Sequence, residues 1–395
     1  MAEDGTTRVV FVDDDWDQLD ELERAMRTRR GVWSMHFACG GKEALRVLSS
    51  GPTPDVVVTE LDMGDHDGID ILRHAQELAP TSVRILLSNS ASTAAICRSI
   101  PWTHQVLAKP VDADRLSAII DRITSDPTAH ASYAVKRLVT SVDRLPAIPG
   151  TYQRVTELAT QPDFAIRDIG EAIRSDVALT AETLKLVNSA FFGLSQDVTS
   201  VEQAVSLLGL DVVKGLVLSN SLFEEDRPAA PWIDLAALSS RSQDVAALAR
   251  GLARLEGLSM RDQALAFLSG IVQDVGLLVV ARNHEIDVPM GVHLVDSPDV
   301  EIDRDLFGID RYAIGAYLLR MWAFEPAIVE AVADLGVDPG LADTPVAGIL
   351  RLANHVLDVG TVSVPEFLRG EPEAIEAVTG LAAAHRERSA TRHAA

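Results

Sequence analysis

The stretch that most constrains this chain is Pro54–Gly68, PDVVVTELDMGDHDG. Val56, Val57 and Val58 form a continuous β-branched apolar run, the composition of a strand covered on both faces. Glu60 and Asp62 follow at its carboxyl end, and Asp67-Gly68 marks a turn before a helix over Ile69–Leu78. Ligands of open α/β sheets bind at the carboxyl ends of the strands, so the acidic residues there are candidate working groups.

The flanking sequence repeats the pattern. Arg8–Val12 is a short apolar strand running into Asp13, Asp14 and Asp15. Asp15 with Gln18 reads as a capping box for a helix over Trp16–Arg29. Met35–Ala38 is a strand, and Gly41 opens a helix through Leu48. Strands Asp55–Glu60, Val83–Leu87 and Gln105–Ala108 follow, with a closing helix over Asp114–Ile123. Strands and helices alternate, which implies a five-stranded parallel sheet with helices on both faces. Polar residues fall at matching strand ends: Asp13, Asp14, Glu60, Ser88 and Lys109. Asp13, Asp14 and Glu60 are candidate oxygen ligands for Mg²⁺. Ser88 and Lys109 have the chemistry to bind a phosphoryl group. The bland alternative is a stabilising charge cluster.

In this order, the acidic pair, the Asp-Gly turn, the Ser and the Lys-Pro resemble the receiver domain of two-component response regulators, over about residues 8–125. The resemblance implies a flavodoxin-like fold. It also exposes departures: Glu60 falls at the phosphoacceptor aspartate, Gly64 at the usual loop proline and Val106 at the aromatic switch residue. Three readings follow: a pseudo-receiver used for docking or dimerisation, a receiver held active-like by Glu60, or a working receiver using Asp62 or Glu60.

Residues 126–144 read as a linker and connecting helix, and from 145 to 340 the pattern is helical throughout. Asp168 with Glu171 and Ser200 with Gln203 read as capping boxes, and Asp234–Leu255 carries an apolar stripe. Ala264–Ala281 reads as one buried core helix. The phrases LPAIPGTYQRV, IRSDVALTAETLKLVNSAFFG and TSVEQAVSLLGLDVVKGLVLSN resemble the HDOD domain, a relative of the HD and HD-GYP phosphohydrolases. Those enzymes hold metals with His and Asp. Here Arg241, Gln273, Asp274, Arg311 and Asp334 stand at or near the matching positions, which makes a poor metal site. Arg241 and Arg311 are expected either to pair with Asp274 or to bind an anion. Residues 341–385 read as a helical extension and 386–395 as a disordered tail.

The net charge of -23 argues against nucleic acid or an anionic membrane as the main partner. Two cysteines, Cys39 and Cys97, and no signal-like N-terminus point to a reducing cytoplasm. No cofactor is expected other than Mg²⁺ at the acidic strand ends. The two resemblances together imply a bacterial signalling protein that is not an enzyme and uses its helical domain as a protein-interaction platform. The expected partners are proteins, among them a kinase or a cyclic-di-GMP enzyme, or a second copy of the chain. The alternatives are a metal-dependent phosphohydrolase or cyclic-dinucleotide phosphodiesterase, a nucleotide-binding sensor, and a phosphorylation-competent regulator.

Overall fold

The computed structural model describes residues 6–64, 66–89, 95, 98–125, 133–142, 145–148, 150–160, 165–189, 198–209, 212–213, 230, 232–283, 288–289, 294–295, 300–337, 344–359, 380 and 383. Cys97, the Phe191-Phe192-Gly193 motif and nearly all of 360–395 lie outside them. The chain divides into two compact units, each described by itself. One is built on Met1–Arg144, with Lys185–Asp197 and Tyr317–Ala323; the other comprises Leu145–Leu184, Val198–Ala316 and Phe324–Ala395.

The first unit is an α/β fold. Its elements are β1 (Thr7–Asp13), α1 (Trp16–Ala25), β2 (Trp33–Cys39), α2 (Gly41–Ser50), β3 (Val56–Glu60), α3 (Gly68–Leu78), β4 (Val83–Ser88), β5 (Gln105–Ala108) and α4 (Ala113–Thr124). All pairings are parallel, in the order β2-β1-β3-β4-β5. Val10, Val12 and Val57 pack with Ala44 and Leu48 of α2 and Ile71 and Ala75 of α3. Alternate residues such as Val9 and Phe11 point to the other face. There α4 meets β2: the Trp33 indole donates to Asp121 at 3.2 Å, and Arg29 pairs with the same carboxylate at 2.7 Å. The helix expected through Arg29 stops at Ala25 and gives way to a 3₁₀ turn over Met26–Arg29.

The Asp67-Gly68 turn is tight for a visible reason. A Cβ on Gly68 would lie 1.9 Å from the Glu60 carbonyl oxygen, so only glycine lets α3 start against the end of β3. Asp67 caps α3 by accepting from the Ile69 amide at 2.9 Å.

A further helix, α5 (Tyr133–Thr140), belongs to this unit. Val135, Leu138 and Val139 are buried. Lys136 pairs with Asp55 at 2.9 Å, and fully buried Arg84 donates to the Thr140 carbonyl at 2.8 Å. These partners sit at the amino ends of β3 and β4, opposite the acidic strand ends. The sequence left open whether this stretch joins modules or pairs copies; it docks on its own sheet.

The second unit is helical. It contains α6 (Thr151–Thr160), α7 (Ile166–Arg174), the start of α8 (Val177–Val187), α9 (Val201–Leu208), α10 (Leu235–Leu255), α11 (Met260–Val272), α12 (Val275–Arg282), α13 (Val300–Phe307), the start of α14 (Arg311–Met321), α15 (Pro326–Asp334) and α16 (Pro345–Val359). Helices α10, α11, α15 and α16 pack on one another, as do α6, α7 and α9. The run read as one core helix is two, α11 and α12, broken at Gln273-Asp274. By length and hydropathy Met260–Arg282 could cross a membrane, but 89% of that window is buried in the fold. Asp168 does not cap α7: the helix begins at Ile166 after Ala165, and Glu171 instead pairs with Arg167 at 3.0 Å.

Two buried carboxylates hold the chain where it enters this unit. Glu182 accepts from the Leu145 amide at 3.0 Å, and Asp176 accepts from Ile148 at 2.6 Å and Leu179 at 3.1 Å. Burial pushes the Asp176 carboxyl up to about 6, against the pull of the amides and with the help of the Glu182 charge. A carboxyl raised on folding is a source of instability that sets in as pH rises from its unfolded value toward 6. Asp176→Asn removes the titration but keeps an oxygen for only one of the two amides, Ile148 or Leu179, and turns an NH₂ donor toward the other. It should therefore lose the decline between about pH 4 and 6, read by urea denaturation across that window, while the unpaired amide offsets the gain at neutral pH.

Candidate functional site

The strand ends bring four of the five polar candidates into view on the first unit. Asp13 ends β1, Glu60 ends β3, Ser88 ends β4, and Lys109 follows β5; Asp13, Glu60 and Ser88 are buried. Asp14 is exposed. Lys109 is the hub. Its ammonium donates to Asp13 Oδ2 at 2.6 Å and to Gln18 Oε1 at 2.7 Å, and it forms an ion pair with Glu60 Oε2. An ammonium has three donors, and these are three acceptors. Burial works against the charge, yet the hydrogen bonds and charges of Asp13 and Glu60 outweigh it and hold Lys109 above its usual value.

The remaining carboxylate oxygens face backbone amides. Glu60 Oε1 accepts from Leu61 at 2.9 Å and Asp62 at 3.3 Å; Asp13 Oδ1 accepts from Asp15 at 3.0 Å; Asp14 Oδ2 accepts from Gly64 at 2.7 Å. Among the described residues no group of three His, Cys, Asp or Glu side chains stands close enough to hold a metal ion. Asp13, Asp14 and Glu60 do not come together as a three-carboxylate group; Asp13 and Glu60 instead share Lys109. Asp62 lies past the end of β3 and is exposed, so strand alternation does not place it beside Glu60. Gln18 was read as half of a capping box; its amide donates to Asp15 Oδ2 at 3.3 Å, and its oxygen serves Lys109.

In the helical unit, three of the five expected positions meet. Arg241 is buried in α10 and donates to Asp358 Oδ1 at 3.0 Å; it stands 3.5 Å from Asp274 Oδ2. Gln273 donates to Asp274 at 3.1 Å and exchanges amide hydrogen bonds with Asn354 at 3.2 and 2.7 Å. Burial opposes the Arg241 charge, but Asp274 and Asp358 raise its pKa further above the arginine range. Asn354 and Asp358 were missed. Their spacing of four on α16 puts them on one helix face, which was the available signal.

Arg311 and Asp334 are elsewhere. Arg311 is not a partner of Asp274: it donates to Asp303 Oδ2 at 2.6 Å and Oδ1 at 2.7 Å, a two-pronged match, and to the Leu294 carbonyl. Asp334 accepts from Arg351 at 2.7 Å. Helices α12 and α14 approach very closely beside Arg311, where a Cβ on Gly276 would fall 1.9 Å from the Arg311 carbonyl oxygen.

Comparison with known proteins gives a family match for two stretches of the chain. Residues 9–121 match the response regulator receiver domain and residues 145–335 match the HDOD domain. An uncharacterized protein of Treponema pallidum (strain Nichols) is 24% identical over 207 residues, 48% of this chain and 37% of that protein. The DNA-binding transcriptional regulator NtrC of Proteus hauseri is 35% identical over 115 residues, 29% of this chain and 24% of that one. The chain thus spans less than half the length of these curated relatives. The solved structure of the MmoQ response regulator from Methylococcus capsulatus str. Bath aligns with TM-score 0.45 and 22% identity, over 60% of this chain and 98% of that one. The chain has the architecture of a signal-transduction response regulator. More narrowly, it joins a response regulator receiver domain to an HDOD domain.

Proposed function

We propose that this is a non-catalytic, cytoplasmic regulator whose receiver takes no phosphoryl group and modulates the HDOD helices as a protein-interaction platform. The observation that carries this reading is the closed Lys109 cluster. Glu60, which stands at the phosphoacceptor position by resemblance, is tied to the lysine a phosphoryl group would need, and Asp13 and Gln18 take its other donors. Position and charge make Glu60 a built-in, weaker stand-in for the phosphorylated state. The HDOD half supports the same conclusion. Where an HD enzyme would hold its metal, the Arg241 guanidinium already neutralises Asp274 and Asp358, and its charge would oppose a second cation. Both arginines are committed to internal carboxylates, which speaks against a nucleotide sensor gripping phosphates through them. The partners are proteins: a kinase, a cyclic-di-GMP enzyme or a second copy of the chain.

Elemental mass spectrometry of the purified full-length protein, prepared without added metal, tests the non-catalytic half. The expected result is no stoichiometric Fe, Mn or Zn. One equivalent of any of them would restore the phosphohydrolase reading.

A further inference from the structure

A cavity of about 370 Å³ opens beside Lys109 in the receiver, between α1 and the segment Lys109–Val111. That volume is at the small end of ligand pockets. Its walls are apolar: Phe11, Leu19, Leu22, Val58, Pro110 and Val111. Its polar edge holds Asp13, Gln18, Glu21, Asn89 and Lys109. The charge pattern decides what can enter. The three Lys109 donors are taken by Asp13, Gln18 and Glu60, so the cavity offers an anion no free ammonium proton. An anion would also face the Asp13 and Glu21 carboxylates. Glu21 is exposed at the edge, and among the described residues no hydrogen bond or ion pair engages it.

We infer that this cavity binds a small amphipathic amine, with its apolar body against Phe11, Leu19 and Val58 and its ammonium at Glu21. A ligand seated there touches Lys109, the cation that ties Glu60 to Asp13, and Gln18, one of its acceptors, and so gives the receiver an input that needs no phosphate. The preference for amines rests on the proposed closed Lys109 cluster. Phosphoryl uptake would undo that cluster, whereas a failure to bind amines would leave it intact, so the two failures are distinguishable.

The test is calorimetric titration of the full chain with 2-phenylethylamine, tryptamine and 1-aminoheptane, with phenylacetate as the charge control. Saturable binding of at least one amine is expected, and none of phenylacetate. Glu21→Gln should weaken the amine about tenfold, the loss of one charge-assisted contact. Ala25 lines the cavity and is exposed, so Ala25→Trp should block binding without changing thermal unfolding. Failure of all three amines to bind, equal binding of phenylacetate, or binding unchanged in either variant would each overturn the inference.

Discussion

Arg311→Ala should cost about 3–5 kcal/mol and give the largest loss of stability of any substitution at the polar positions considered above. Arg311 and Asp303 are 1% and 0% exposed, and the guanidinium fork meets both carboxylate oxygens. The Arg311 backbone amide also donates to Asp303 at 3.1 Å. Removing the guanidinium leaves a buried carboxylate without its counter-ion, and that desolvation cost dominates. The pair itself contributes little net, so Asp303→Leu combined with Arg311→Met should recover part of the loss, the rest staying with the Arg311 amide and Leu294 carbonyl left without those partners. Urea midpoints of the three proteins measure this. A single variant near native stability would mean the pair is solvated in solution.

Lys109→Met should cost about 3 kcal/mol by the same logic, since it leaves Asp13 and Glu60 buried side by side without the cation between them. The pH dependence has a definite sign. Lys109 is held above its usual value on folding. Its contribution is therefore complete below the unfolded value of about 10.4 and is lost as pH rises through the folded one. The gap between native protein and variant should be full at neutral pH and narrow above about 10.4. Denaturation curves at neutral and strongly alkaline pH measure it.

The receiver was legible in the sequence because its strands are short β-branched runs ending in polar residues, and period and composition agree there. Val56–Val58 and the Asp67-Gly68 turn are the clearest cases. What was not legible is the side-chain traffic across the strand ends. Gln18 sits at a capping-box spacing, but Lys109, 91 residues on, takes its oxygen. In the helical unit the elements followed from apolar spacing, whereas the pairings did not. Asp303 and Arg311 are eight residues apart on different helices, and no local rule joins them. Asn354 and Asp358 lie on a helix whose apolar stripe hid its polar face. The break between α11 and α12 was hidden by hydrophobicity on both sides of Gln273-Asp274.

The central claim is that Glu60 and its partners close the receiver to phosphate. Incubation of the full chain with acetyl phosphate and Mg²⁺, followed by intact mass spectrometry and peptide mapping, tests it most directly. The closed cluster predicts an unmodified mass, and a phosphoryl adduct on Glu60 or Asp62 would contradict it.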